Sequence, residues 1–130
     1  MPASILIADS SSSMRALIER AISVAGLPVS RCLQACDAGQ ALRLIESRSI
    51  DFLLLDTHLG GIDQEKLLEA LDPRSEAVAV PFMVTSSDAS SARIQRLLEA
   101  GARDYLLKPF SIPTLCARLD TALRTVHGNH

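Results

Sequence analysis

The chain has 130 residues, of which 48% are hydrophobic and 22% charged, and its formal net charge is −2. That length suits one domain burying about two-thirds of its unfolded surface, and the composition is that of a soluble globule, not a disordered tail. So small a charge predicts neither nucleic-acid nor membrane affinity, no apolar run is long enough to cross a bilayer, and the absence of Trp leaves no base-stacking platform.

Met1 to Ser4 lead directly into an apolar segment without the basic region and apolar core of a secretory signal, so a cytoplasmic location is expected. Ile5 to Ala8 reads as a first strand, with Asp9 just past its end. Ser10 to Ser13 offer hydroxyls to cap the next helix. That helix carries an apolar stripe of Met14, Leu17, Ile18, Ala21, Ile22 and Ala25 and stops at Gly26. Val29 to Ala35 is a more polar strand, expected nearer a sheet edge, and Asp37 caps a second helix running to about Ser47 with Ala41, Leu42 and Ile45 inward.

Ile50 to Leu55 reads as the central strand, since four large apolar residues in succession suit a strand covered on both faces. The paired Gly60 and Gly61 make residues 57–63 a loop, and a short helix covers Gln64 to Leu71, ending near Asp72-Pro73. A fourth strand starts at Pro81 and runs to Thr85, because proline is tolerated at the start of a strand but not in the middle of a central one. Residues 86–91 are polar and helix-capping; Ile94, Leu97 and Leu98 then mark a helix that ends at Gly101. Asp104 to Leu107 is the fifth strand. Ser111 caps a last helix that buries Leu115, Leu119, Ala122, Leu123 and Val126, and residues 128–130 fray. Strands alternating with helices predict a single α/β domain, a doubly wound five-stranded parallel sheet with five helices.

In such a sheet Asp9, Asp56, Thr85 and Lys108 all fall at the carboxyl edge, where open α/β sheets keep their ligand crevice. Two close carboxylates repel each other by ~4 kcal/mol at 4 Å and an effective dielectric near 20. A divalent cation relieves that repulsion, and hard oxygen ligands suit Mg²⁺ better than zinc. A carboxylate beside such a cation can attack a phosphoryl group to give an acyl phosphate. Lys108 and Thr85 would then meet its oxygens, because phosphoryl transfer depends on positioning and charge neutralisation.

The stretches Ile7-Ala8-Asp9-Ser10-Ser11-Ser12-Ser13-Met14-Arg15, Leu53-Leu54-Leu55-Asp56, Val84-Thr85-Ser86 and Ala100 to Phe110, the last with its Lys108-Pro109-Phe110, carry a family likeness. From Ile5 to about Val126 the chain resembles a response-regulator receiver domain of two-component signalling, nearest in its Ser-Ser-Met-Arg segment to the chemotaxis-type, single-domain members. The resemblance implies a flavodoxin-like fold with a core over about residues 4–126 and a frayed tail over 127–130. It implies that Asp56 accepts the phosphoryl group, that Asp9 and Asp56 hold Mg²⁺ with the backbone carbonyl of His58, and that Thr85 and Tyr105 act as the switch. It also implies a cis peptide between Lys108 and Pro109. The partners implied are a sensor histidine kinase or phosphotransfer protein and a downstream effector read through the helix 4–strand 5–helix 5 face. No direct nucleic-acid or membrane contact is implied, and the chain would be a monomer or weak dimer that is a phosphoacceptor and not an enzyme.

One departure matters most. Receivers usually carry a second acid after the first strand, and here that position is Ser10, a neutral candidate ligand that would weaken Mg²⁺ binding. A second reading therefore keeps the fold but makes the chain a phosphorylation-independent binding module with an incomplete metal site. A small flavodoxin-like enzyme is disfavoured, because Asp9 to Ser13 contains no glycine for a phosphate loop. Asp63 reads as an ordinary turn residue and the His58 ring as solvated. Cys32, Cys36 and Cys116 read as buried reduced thiols, and Arg93, Arg96 and Arg103 as a solvated helix face.

Overall fold

The computed structural model describes residues 3–47, 49–72, 80–88 and 92–127. Pro73, residues 89–91, the side chains of Arg93 and Val126, and the tail 128–130 lie outside the described residues. The elements, in order, are β1 (Ala3–Ala8), α1 (Ser12–Ala25), β2 (Val29–Ala35), α2 (Ala38–Glu46), β3 (Phe52–Asp56), α3 (Gln64–Leu71), β4 (Phe82–Ser86), α4 (Ala92–Glu99), β5 (Tyr105–Leu107) and α5 (Ile112–His127).

The strands form one parallel sheet in the order β2-β1-β3-β4-β5. β3 lies at its centre, and the polar β2 takes one edge. Side chains alternate across each strand, so the sheet feeds two cores. Leu6, Leu53, Leu55, Phe82 and Val84 pack under α2, α3 and α4. Ile5, Ile7, Phe52, Leu54 and Met83 pack under α1 and α5, against Ile18, Ile22, Leu115 and Leu119. This alternation is why Phe52-Leu53-Leu54-Leu55 can be apolar throughout: each face of the sheet has its own helical layer.

The helix starts follow their caps. Of the four candidate serines, Ser11 caps α1 by accepting from the Met14 N–H. Asp37 caps α2 through the Gln40 N–H, and Ser111 accepts from Thr114 N–H at the start of α5. Gly26 closes α1 at φ 68°, a left-handed conformation that costs glycine nothing.

Several boundaries differ from the sequence reading. β1 begins at Ala3, β3 at Phe52, and β4 runs from Phe82 to Ser86, with Pro81 just outside it. The stripe of α1 is narrower than its periodicity suggested. Ile18, Ala21 and Ile22 are buried, whereas Ala25 is exposed and Leu17 is 44% exposed. An i, i+3, i+4 pattern marks an arc wider than the strip of helix that touches the sheet.

Candidate functional site

The register of the sheet builds the site. Ala8 pairs with Leu55, so Asp9 and Asp56, one residue further along, stand side by side at the carboxyl edge. Asp56 is in turn the register partner of Thr85. Ser86 pairs with Leu107, and the Lys108 N–H donates to the Ser86 carbonyl at 2.7 Å, which sets Lys108 at the same edge.

The four residues meet in a sheltered pocket. Asp9, Asp56 and Thr85 are 2%, 6% and 1% exposed. The Lys108 ammonium lies 2.7 Å from Asp9 Oδ2 and 3.6 Å from Asp56 Oδ2, so one cation serves two carboxylates and formally leaves one negative charge uncompensated. The remaining oxygens are held by backbone: Asp9 Oδ1 accepts from the Ser11 N–H at 2.9 Å and Asp56 Oδ1 from the His58 N–H at 3.2 Å. The buried Thr85 hydroxyl has no hydrogen-bond partner among the described residues, an arrangement that ordinarily costs free energy unless a ligand meets it.

His58 is exposed, and its Nδ1 lies 3.1 Å from the Thr57 hydroxyl. Thr57 donates to the buried Ser86 hydroxyl, which also accepts from the Asp88 N–H. This network ties the loop after β3 to the loop after β4. Ser10 is exposed, and its hydroxyl bonds to nothing among the described residues. Tyr105 is 39% exposed, and the Lys108–Pro109 peptide is cis.

Donors for a metal are all hard oxygens: the two buried carboxylates and the His58 carbonyl, to which no donor is directed among the described residues. That set fits magnesium, which keeps several waters and needs only one or two carboxylates. No cluster of three or more His, Cys, Asp or Glu side chains stands among the described residues. The three cysteines are free and half-buried, not buried; burial pushes the Cys32 thiol up, helped by the Glu19 charge, and burial also raises Cys116.

Sequence reasoning overlooked the clamp on the first loop. Arg15 donates from Nη1 to the Asp9 carbonyl at 2.7 Å and from Nε to Gln34 Oε1 at 2.9 Å. Nothing in a helical period says that an outward arginine will reach back to the preceding loop. Asp104 and Arg118 were equally unforeseen as a pair: the guanidinium of α5 binds the carboxylate ahead of β5 through two bonds and also donates to the Tyr105 carbonyl.

Comparison with known proteins gives the same family. The response regulator receiver domain model matches residues 5–120. The phosphate regulon transcriptional regulatory protein PhoB of Pseudomonas aeruginosa is 38% identical over 121 residues, covering 92% of this chain and 51% of that protein. The response regulator MprA of Mycolicibacterium vanbaalenii is 36% identical over 125 residues, covering 95% and 52%. The chain thus spans about half the length of these curated relatives. In fold, it superposes on a CheY-like receiver domain protein from Methanospirillum hungatei with a TM-score of 0.83 at 23% identity, with both chains covered completely.

Proposed function

The chain belongs to the response regulator receiver family of two-component signalling, and from that premise we propose that Asp56 is its phosphoacceptor. The observation that carries the proposal is the convergence of Asp9, Asp56 and Lys108, with Lys108 Nζ within 3.6 Å of both acids. In the transfer, an Asp56 oxygen forms a bond to phosphorus while the P–N bond of a phosphohistidine on a sensor histidine kinase or phosphotransfer protein breaks. The electron pair leaves with the imidazole nitrogen, which then takes up a proton. Lys108 binds one phosphoryl oxygen, and the Thr85 hydroxyl donates to another.

Asp9, Asp56 and the His58 carbonyl are the donors for Mg²⁺, with Ser10 as a neutral oxygen at the margin. When bound, the ion neutralises charge on the transferring group. The phosphoryl group brings a charge near −2 in place of the carboxylate's −1, drawing in Thr85 and biasing Tyr105 and the α4–β5–α5 face toward a downstream effector. This segment acts in the cytoplasm, as a monomer or weak dimer, without touching nucleic acid or membrane itself. Among the described residues no helix is long and apolar enough to cross a membrane.

Incubation with acetyl phosphate and Mg²⁺, read by intact mass, should give one added phosphate that is lost in Asp56→Ala. Ser10→Asp should reach the same occupancy at lower Mg²⁺. If no adduct forms at any metal concentration, the proposal fails and the phosphorylation-independent module takes its place.

A further inference from the structure

A cavity of about 110 Å³ opens between α3 and α4, with Asp56, Glu65 and Arg96 among its lining residues. Its walls are mixed, with Leu67 of α3 and Leu97 of α4 beside Gln64, Glu65 and Arg96. Across it Arg96 Nη2 meets Glu65 Oε2 at 3.2 Å, joining the two helices. This pair is weakly held: the side chains are 62% and 71% exposed, and exposed ion pairs contribute little to stability. Arg96 therefore lines the same cavity as Asp56, the residue proposed to exchange a single carboxylate charge for a phosphoryl group of charge near −2, and its present anion is a poor competitor. Guanidinium forks bind phosphoryl oxygens in bidentate fashion.

We propose that Arg96 is a positioning residue for the phosphorylated state, exchanging Glu65 for the phosphoryl group on Asp56 across this cavity and so releasing α4 from α3. The inference rests on Asp56 being the phosphoacceptor and adds what α4 itself responds to. Glu65 is then a competing anion that holds Arg96 in reserve. Lys108 and Thr85 serve the phosphoryl group from the β5 side, and Arg96 serves it from the α3–α4 side.

The test measures phosphate uptake from acetyl phosphate at fixed Mg²⁺ in the intact chain, by intact mass, together with the Arg96 Nε–H resonance by ¹⁵N NMR. Glu65→Gln should speed uptake roughly three- to fivefold, the scale of a freed exposed ion pair. Arg96→Gln should slow it by a similar factor, Arg96→Lys should restore part of the loss, and the double variant should behave as Arg96→Gln alone. In the parent chain the Nε–H signal should shift on phosphorylation. Should Arg96→Gln fail to fold, Glu65→Gln and the resonance still decide. An adduct on Asp56 with unchanged rate in Glu65→Gln, additive effects in the double variant, or an unmoved Nε–H signal overturns the role of Arg96 while leaving Asp56 as acceptor. A chain that takes up no phosphate removes the acceptor reading, and the role of Arg96 falls with it.

Discussion

At the scale of single residues, the site is governed by a shortage of positive charge. Lys108 sits closer to Asp9 than to Asp56, at 2.7 Å against 3.6 Å, so in the resting protein its main partner is the acid that is not the proposed acceptor. Removing one partner of a buried pair costs more than the pair itself contributes, because the other charge is left stranded. Two almost fully buried acids would be stranded at once in Lys108→Met, while the partial exposure of Lys108, at 17%, moderates the loss. A destabilisation of about 2 kcal/mol is expected, read as a lower urea midpoint at unchanged slope. Far from this pocket, the Arg118 guanidinium holds the Asp104 carboxyl below the usual carboxylate range, mainly by its hydrogen bonds and against a smaller effect of burial. A depressed folded value means that the contribution of this carboxylate is fully present above the ordinary range of an unfolded aspartate. It is lost as pH falls through the lower, folded value. Arg118→Met should therefore move the Asp104 titration, followed by carboxyl-carbon NMR, back up toward that ordinary range and shift the onset of acid destabilisation to higher pH. The pair is partly exposed, at 45% and 25%, so the stability change should be small beside that of Lys108→Met.

At the scale of elements, two glycines separate backbone demand from space. Gly26 needs its left-handed φ of 68° to end α1, although a methyl group there would meet nothing within 4 Å. Gly39 lies inside α2 without such a demand, and its closest approach, 3.0 Å, is to the Asp63 carboxylate, the mobile end of a flexible side chain. Gly26→Ala should thus destabilise by about 1 kcal/mol. Gly39→Ala should be neutral or stabilise by up to ~1 kcal/mol as helix propensity outweighs a small shift of Asp63. Thermal unfolding of the two variants should move the midpoint in opposite directions, or leave the second unmoved. These elements also show what was legible beforehand. Strand cores, caps and stop signals are local chemistry, so Ser11, Asp37, Gly26 and the apolar run of β3 could be read from neighbours in sequence. The exposure of Leu17 and Ala25 could not, because the rotation of α1 on the sheet is fixed by packing against α5 as well as by its own period. The reach of Arg15 to the Asp9 carbonyl, and of Arg96 to Glu65, depends on where a long side chain ends after helices dock, which no spacing encodes.

At the scale of the whole molecule, the site is assembled from strands of unequal security. The convergence of Asp9, Asp56, Thr85 and Lys108 followed from one inference, that a parallel sheet sends all its strand ends to one edge, and so it was legible before any side chain was placed. Its unevenness was not. Asp9 and Asp56 follow or end β1 and β3, and Thr85 lies on β4; each of these strands pairs on both sides and is covered by helices on both faces. Lys108 follows β5, an edge strand of three residues with Tyr105 and Leu107 both 39% exposed, paired with β4 alone. Regions with few buried contacts open locally at a free energy well below that of global unfolding. The ammonium should therefore leave the two carboxylates during openings of β5 that do not disturb the carboxylates themselves. Native-state hydrogen exchange should find the Leu54 and Met83 amides exchanging only through global unfolding, and the Leu106 amide through a smaller, denaturant-insensitive opening. Lys108→Met should lower protection at Leu106 beyond its global effect, since it removes the ion pairs that fasten β5 to β1 and β3. Equal loss of protection at Leu54 and Leu106 would mean that the sheet opens as one unit, and that the basic and acidic halves of the site cannot be separated without unfolding the protein.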